Sequence, residues 1–345
     1  MEKKQIDLKW PLVGNAHITE FLGKSIANSR VSSTYIFNGP DNLGKTTLAN
    51  YFAQVLLCER RENDSITPCG VCSSCHGFLN SPEDLELDSV NSDFHILRKE
   101  KDKKKISVEQ VRNFIRKLNL SSFSGGYKIG IIKHADALST EAANALLKTL
   151  EEPKKEVVVI LVTQNSEVLP QTIISRSQLL NFRLVKTDLI YDYLVNNYGV
   201  SRGEAKKFSR LALGRPALAL KFFEDIEFRE NYENRVNLFL GFLDQDINGR
   251  LQAIEEAIGK KTQGQESVQI VKRTLEVWQG VIRDFLLLFY NHNNIIQHYQ
   301  VEENGRQNFS AADLLYWQNL CREGESNLQN NVNPKLVLEN IAINI

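Results

Sequence analysis

The run Val157-Val158-Val159-Ile160-Leu161-Val162 has no polar position and is rich in β-branched residues. A strand covered on both faces reads this way. Thr34-Tyr35-Ile36-Phe37 and Lys128-Ile129-Gly130-Ile131-Ile132 predict two more buried strands, and the stretches 85–90 and 179–184 predict two others. Between them the apolar spacing changes to three and four residues, the helical period. Ile18, Phe21, Leu22 and Ile26 predict a helix after Trp10-Pro11-Leu12-Val13-Gly14. Leu48, Phe52, Val55 and Leu56 predict one running towards Cys58. Ser107-Val108-Glu109-Gln110 is a capping box, and it opens a helix with Val111, Phe114, Ile115 and Leu118 on one face. Gly125-Gly126 turns the chain into the strand at 128–132, and a helix from Thr140 to Glu151 is stopped by Pro153. Strands alternating with helices imply a parallel α/β sheet.

Beyond about residue 186 the pattern is helical only. A helical stretch over 187–226 is broken near Gly203 and at Gly214-Arg215-Pro216, and a longer one runs from 227 to the end. Val277-Trp278 and the apolar segment 285–290 suit a helix buried against others. The expected division is 1–185, 186–226 and 227–345, which fits a 345-residue chain at roughly 100–200 residues per domain.

Composition narrows the function classes. The 42 basic and 42 acidic residues cancel, so a nucleic-acid surface has to be local. No apolar run approaches the ~20 residues of a membrane helix, and Met1-Glu2-Lys3-Lys4 leads into no signal-peptide core. A cytoplasmic location is expected. The charged run 98–105 reads as a solvated loop.

Two stretches carry chemistry. Gly39-Pro40-Asp41-Asn42-Leu43-Gly44-Lys45-Thr46 fits G-x-x-x-x-G-K-[ST] between a predicted strand and a predicted helix. Gly39 and Gly44 permit the tight turn that aims backbone N–H groups at phosphate oxygens. Lys45 would reach the β- and γ-phosphates of ATP, and the Thr46 hydroxyl would hold Mg²⁺, with Thr47 beside it in the helix N-terminus. Cys58, Cys69, Cys72 and Cys75 form C-x10-C-x2-C-x2-C. Clustered thiols in a reducing compartment point to metal. Four thiolates suit tetrahedral Zn²⁺ and leave no open position, so the site reads as structural. His76 reads as a bystander and Cys321 as a buried apolar residue.

A hydrolytic site needs carboxylates at a strand end to hold Mg²⁺ and orient the attacking water. The strand at 128–132 is followed by Lys133 and His134, and Asp136 comes only beyond them. ATP binding without hydrolysis is therefore expected.

At this point the chain resembles a family. The segment from His134-Ala135-Asp136-Ala137 through Leu146-Leu147-Lys148-Thr149-Leu150-Glu151-Glu152-Pro153 resembles the signature helix of clamp-loader ATPase subunits of the AAA+ family. Ser175-Arg176-Ser177 resembles their Ser-Arg-Cys motif, with Ser in place of Cys. The cysteine cluster is similar to the zinc module of the bacterial subunits. The resemblance implies an AAA+ phosphate-loop domain over 1–185 with a zinc insertion at about 58–76, a helical lid over 186–226 and a helical collar over 227–345. It implies that Arg176 is a finger offered in trans to a neighbour's ATP and that Thr163 is a nucleotide-sensing residue. Motor subunits of the family keep acidic residues at the strand end and an arginine three residues after the Gly that matches Gly214. Here Lys133, His134 and Ala217 stand in those places, as in the non-hydrolysing members. Some of those members lack the phosphate loop, which this chain keeps.

The implied partners are the gamma/tau motor subunits, the delta subunit, the sliding clamp and primer–template DNA, in a hetero-oligomeric ring. Two other readings stand beside this one. One is a motor-type ATPase using Asp88 or Asp136, and the other is a zinc-ribbon nucleic-acid-binding protein whose phosphate loop is only structural.

Overall fold

The structure is a computed structural model describing residues 10–61, 65–79, 92–100, 103, 105–122, 126–152, 154, 156–258, 265–304 and 309–345. The predicted strand at 85–90, with Asp88, lies outside them. So do Met1 to Lys4, Gly125, Pro153 and part of the charged run 98–105.

Strands β1 (Thr34–Asn38), β2 (Phe94–Leu97), β3 (Lys128–Ile132), β4 (Val157–Thr163) and β5 (Gln178–Asn181) form one sheet in the order β2-β3-β4-β1-β5. Every pairing is parallel. All residues of β3 and β4 are buried, Lys128 and Thr163 included, as the apolar run 157–162 and the buried strand expected at 128–132 predict. Successive side chains point to opposite faces. Tyr35, Phe37, Ile129, Ile131, Val158 and Ile160 enter one core, while Ile36, Ile132, Val159 and Leu161 enter the other.

The helices between the strands are α1 (Ala16–Ala27), α2 (Lys45–Leu57), α3 (Ser73–Leu79), α4 (Val108–Asn119), α5 (Thr140–Glu151) and α6 (Gln171–Ile174). The capping box at the head of α4 is present: Ser107 Oγ accepts from Gln110 N, and Ser107 N donates to Gln110 Oε1 at 2.9 Å. Phe114 and Leu118 of α4 press so closely on β3 that a Cβ at position 130 would lie 2.4 Å from Phe114 Cζ. Close approach by a packed helix is what a glycine inside a strand serves.

By compactness the chain divides into two units, Met1–Tyr193 with Gly214–Leu218, and Leu194–Leu213 with Ala219–Ile345. The remaining helices are α7 (Thr187–Tyr198), α8 (Arg202–Leu211), α9 (Pro216–Glu224), α10 (Ile226–Phe242), α11 (Ile247–Ile258), α12 (Gln265–Phe289), α13 (Tyr299–Asn304), α14 (Ala311–Gln329) and α15 (Pro334–Asn344). The second unit has no strand among the described residues. Its core gathers round Trp278 of α12, which contacts Phe239 and Phe242 and donates from Nε1 to Arg235 O at 3.0 Å.

The helix break expected near Gly203 is present, two residues earlier. The chain breaks at 199–201, and Gly203 lies inside α8. Ser201 is the reason: its side chain accepts from Glu204 N and caps α8, so the helix starts before the glycine. Among the described residues no helix is long and apolar enough to cross a membrane.

Candidate nucleotide site and candidate metal centre

The phosphate-type loop joins the C-terminal end of β1 to the first turn of α2, at the edge where ligands bind in open parallel sheets. Asn38, the last residue of β1, is in register with Thr163, the last of β4. Gly39 N donates to Thr163 O at 3.3 Å, which ties the loop to the neighbouring strand end. Gly39 has φ 143°, and a Cβ there would lie 2.6 Å from Phe182 O. Gly44 has φ 84°, the left-handed region that favours glycine.

A cavity of about 190 Å³ opens at this loop, lined by Asp41, Gly44, Lys45, Thr46, Thr47 and Thr163 among others. Five of the predicted cofactor residues therefore meet at one place, and the sixth, Gly39, shapes the loop. Lys45 is 5% exposed, and its ammonium donates to Gly39 O and Pro40 O and lies 3.7 Å from Asp41 Oδ1. Burial holds its pKa below the ordinary lysine value, with Asp41 and Asp136 opposing the shift. A phosphate would compete for an ammonium that already faces the cavity wall.

Lys133 and His134 line the same cavity, where β3 ends. A cation and an imidazole replace the carboxylates that would hold Mg²⁺ and a water. Asp136 follows in a single 3₁₀ turn, and its Oδ1 accepts from Thr163 Oγ1 at 3.0 Å and from Gln164 N at 3.4 Å. This carboxylate is engaged by the strand end that Thr163 closes. Thr163 is 1% exposed, and its Oγ1 also lies 3.1 Å from Asn165 O.

Cys58 follows the last residue of α2, Cys69 precedes the α3 turn, Cys72 stands before α3 and Cys75 lies inside it. The four sulfurs all lie within 4.8 Å of one another. Cys58 and Cys72 Sγ are 4.0 Å apart, and Cys69 and Cys75 Sγ are 3.9 Å apart. A tetrahedron with metal–sulfur bonds of about 2.3 Å places its sulfurs about 3.8 Å apart. The donor set therefore fits a soft tetrahedral ion. Backbone N–H groups meet the sulfurs, Cys69 N to Cys58 Sγ at 3.3 Å and Cys75 N to Cys72 Sγ at 3.4 Å. The Val71 N–H pulls the Cys69 thiol down to about 6, while burial pushes the Cys58 and Cys75 thiols up. Cys321 is fully buried elsewhere, and burial pushes its thiol up to about 12.

Arg176 is not among the residues lining the loop cavity. It follows α6 on the surface, with a side chain 39% exposed. Its Nη2 lies 3.2 Å from Glu151 Oε1, and its Nη1 donates to Thr172 O at 3.1 Å. Sequence reasoning did not find the Glu151 partner, nor the Gln164 amide that donates to Asp41 in the loop. No spacing rule joins residues 25 and 123 positions apart, so only the fold reveals them.

Comparison with known proteins places these sites in a lineage. The family described as DNA polymerase III, delta subunit, matches residues 14–186, which hold every site above. The chain is 31% identical over 201 residues to the DNA polymerase III subunit delta′ of Haemophilus influenzae, covering 57% of each. It is 33% identical over 181 residues to subunit tau of Bacillus subtilis, covering 52% of this chain and 30% of that one. The chain thus spans less than two thirds of these relatives' length. A crystal structure of a DNA polymerase III gamma subunit-related protein from Thermotoga maritima superposes with a TM-score of 0.54, covering 94% of this chain and 96% of that one. At 15% identity that likeness shows the fold alone.

Proposed function

We propose that the chain, which belongs to the DNA polymerase III delta-subunit family of AAA+ clamp-loader proteins, acts as a delta-prime-type subunit that does not itself hydrolyse ATP. In this reading it is a stator in a ring with gamma/tau motor subunits and the delta subunit. It helps load the sliding clamp onto primed DNA in the cytoplasm and presents Arg176 to a neighbouring ATPase site. Residues 1–185 form its AAA+ domain, 186–226 a lid and 227–345 a collar for assembly.

The observation that carries the reading is the pair Lys133 and His134 at the end of β3, on the wall of the loop cavity. A magnesium ion there would find Thr46 and phosphate oxygens but no strand-end carboxylate. Lys45, Gly44, Thr46 and Thr47 suffice to bind ATP, and Thr163 lies close enough to respond to it. Arg176 supports the trans role by its exposure and its planar, permanently charged guanidinium, which suits phosphate oxygens. An arginine finger of this kind contributes about 10³–10⁵ in rate to the site it completes. Cys58, Cys69, Cys72 and Cys75 would hold one Zn²⁺, which as a closed four-sulfur centre supplies folding energy.

A motor-type reading has two observations in its favour. The phosphate loop is intact, and subunit tau is among the relatives. It would need Asp136 to leave Thr163 and take up magnesium. Steady-state ATP hydrolysis by the isolated chain, with Lys45→Ala as control, decides between them. The stator reading expects nucleotide binding with no turnover above the control. Turnover that Lys45→Ala abolishes would establish the motor reading.

A further inference from the structure

In the second unit, Gly203, Lys206, Lys207 and Arg210 lie on one face of α8, at the i, i+3, i+4, i+7 spacing of a helical stripe. The opposite face, with Ala205, Phe208 and Ser209, is buried. The basic face lines a cleft of about 340 Å³ whose other wall is Ile296, Gln297 and Tyr299. None of these lining residues is acidic. Among the described residues, neither the Lys206 ammonium nor the half-buried Arg210 guanidinium has a hydrogen-bond or ion-pair partner. Lys207 alone is paired, to Glu233 Oε1 at 2.6 Å.

The facing wall is fixed from beneath. Asp284 is fully buried, and its Oδ2 accepts from Gln297 N at 2.7 Å, from His298 N at 2.8 Å and from the His298 ring at 2.8 Å. The other ring nitrogen of His298 meets Tyr232 OH at 2.7 Å. A buried carboxylate that gathers two consecutive amides costs desolvation, and here it holds segment 296–299 rigidly in front of α8. Tyr299, the next residue, stays 48% exposed, with Lys207 Nζ 5.1 Å from its ring centroid. Gly203 adds a second signal. It sits in a helix with no left-handed φ to demand it, and a Cβ there would meet nothing within 4 Å. Glycine is a weaker helix former than alanine. Its effect here is to leave the mouth of the cleft open to the backbone.

Cations free to meet phosphates, here Lys206 and Arg210, beside an exposed aromatic ring are the elements with which proteins hold single-stranded nucleic acid. The cations track the phosphates and the ring stacks a base. We propose that this cleft binds the phosphodiester backbone of single-stranded DNA, with Lys206 and Arg210 on phosphates and Tyr299 stacked on a base. The site lies in a different unit from the phosphate loop and from Arg176. It deepens the proposed association with DNA and rests on that reading only for its biological setting.

The test is fluorescence anisotropy of the full-length chain with a labelled oligo-dT, titrated at several salt concentrations without nucleotide. Lys206→Gln with Arg210→Gln should weaken binding and reduce the slope of log affinity against log salt by about 1.4, since each phosphate contact on a single strand contributes about 0.7. Tyr299→Ala should weaken binding about tenfold with the slope kept, as expected for a lost stacking platform. Lys24→Gln with Lys186→Gln, two exposed cations elsewhere, should leave affinity within about twofold. Melting curves check that each variant is folded. No binding by the wild type, or equal affinity and slope in the Lys206/Arg210 variant, overturns the proposal. So does tighter binding of labelled poly-glutamate than of oligo-dT at matched charge and salt, which would assign the cleft to an acidic peptide. The measurement needs neither ATP nor other subunits, so its failure leaves the stator reading standing.

Discussion

Arg176 Nη2 rests 3.2 Å from Glu151 Oε1, joining the turn after α6 to the last residue of α5. Both side chains are more than a third exposed, at 39% and 48%. A pair of this kind contributes at most about 1 kcal/mol. It can orient a guanidinium without holding it against a competing phosphate. Glu151→Ala should therefore leave the melting temperature nearly unchanged, a loss of under about 1 kcal/mol. In an assembled loader it should cost far less activity than removal of Arg176 itself. Thermal unfolding and ATPase of the reconstituted complex check both parts. A large loss of stability would recast the pair as structural.

The cysteine cluster makes its own demand. One metal ion per chain should be found by elemental analysis, and Cys72→Ser should lose it. Structural zinc contributes roughly 10–16 kcal/mol of apparent binding energy at neutral pH in small zinc-binding peptides. Stripping it should expose residues 58–79 to limited proteolysis while the sheet keeps its melting transition. Metal-free protein with an unchanged digestion pattern would contradict the assignment.

At the phosphate loop, Lys45→Ala should weaken ATP binding by about 10- to 150-fold, the range for a lost hydrogen bond to a charged group. Gly39→Ala should act differently, on stability. Its backbone at φ 143° and the 2.6 Å approach of Phe182 O leave no room for a methyl group. A cost of order 1–3 kcal/mol is expected. Isothermal titration with ATP and a denaturant melt separate the two effects.

Tyr232 supplies a pH prediction for the second unit. Burial raises its pKa above the ordinary 10.0, with Asp284 adding to the rise. The folded state keeps the phenol neutral where the unfolded chain would ionise it. The stabilisation is complete below the unfolded value of 10.0 and falls as pH rises above it, since the folded state then binds more protons than the unfolded. Wild-type stability should hold up to about pH 10 and decline as pH rises further. Tyr232→Phe should be less stable at pH 8 through the lost bond to His298, with a shallower alkaline decline. Equal slopes would remove Tyr232 as the cause.

Much of the first unit was legible because local pattern and tertiary environment agree. The run 157–162 is apolar because β4 is covered on both faces, and Ser107 with Gln110 marks the start of α4 by local hydrogen bonds alone. The cysteine spacing was legible because the four thiols lie close together along the chain. Failures came where the signal is short or distant. Phe94–Leu97 is only four residues and carries a histidine, so it offers little period to read. The helix break expected near Gly203 falls at 199–201, where the serine cap at Ser201 rather than the glycine fixes its position. The cleft between α8 and segment 296–299 depends on Asp284, nearly 80 residues from α8, and no periodicity reports such a contact.

The central claim is that Arg176 acts in a neighbour's site while its own site stays hydrolytically silent. The direct measurement is ATP hydrolysis and clamp loading by complexes reconstituted with wild-type, Arg176→Ala or Arg176→Lys chain, after equal assembly has been verified. The account predicts lower clamp-stimulated turnover with Arg176→Ala and partial rescue with Arg176→Lys, which keeps the charge but loses the planar fork. Equal rates in all three complexes would contradict it and leave Arg176 as the surface partner of Glu151.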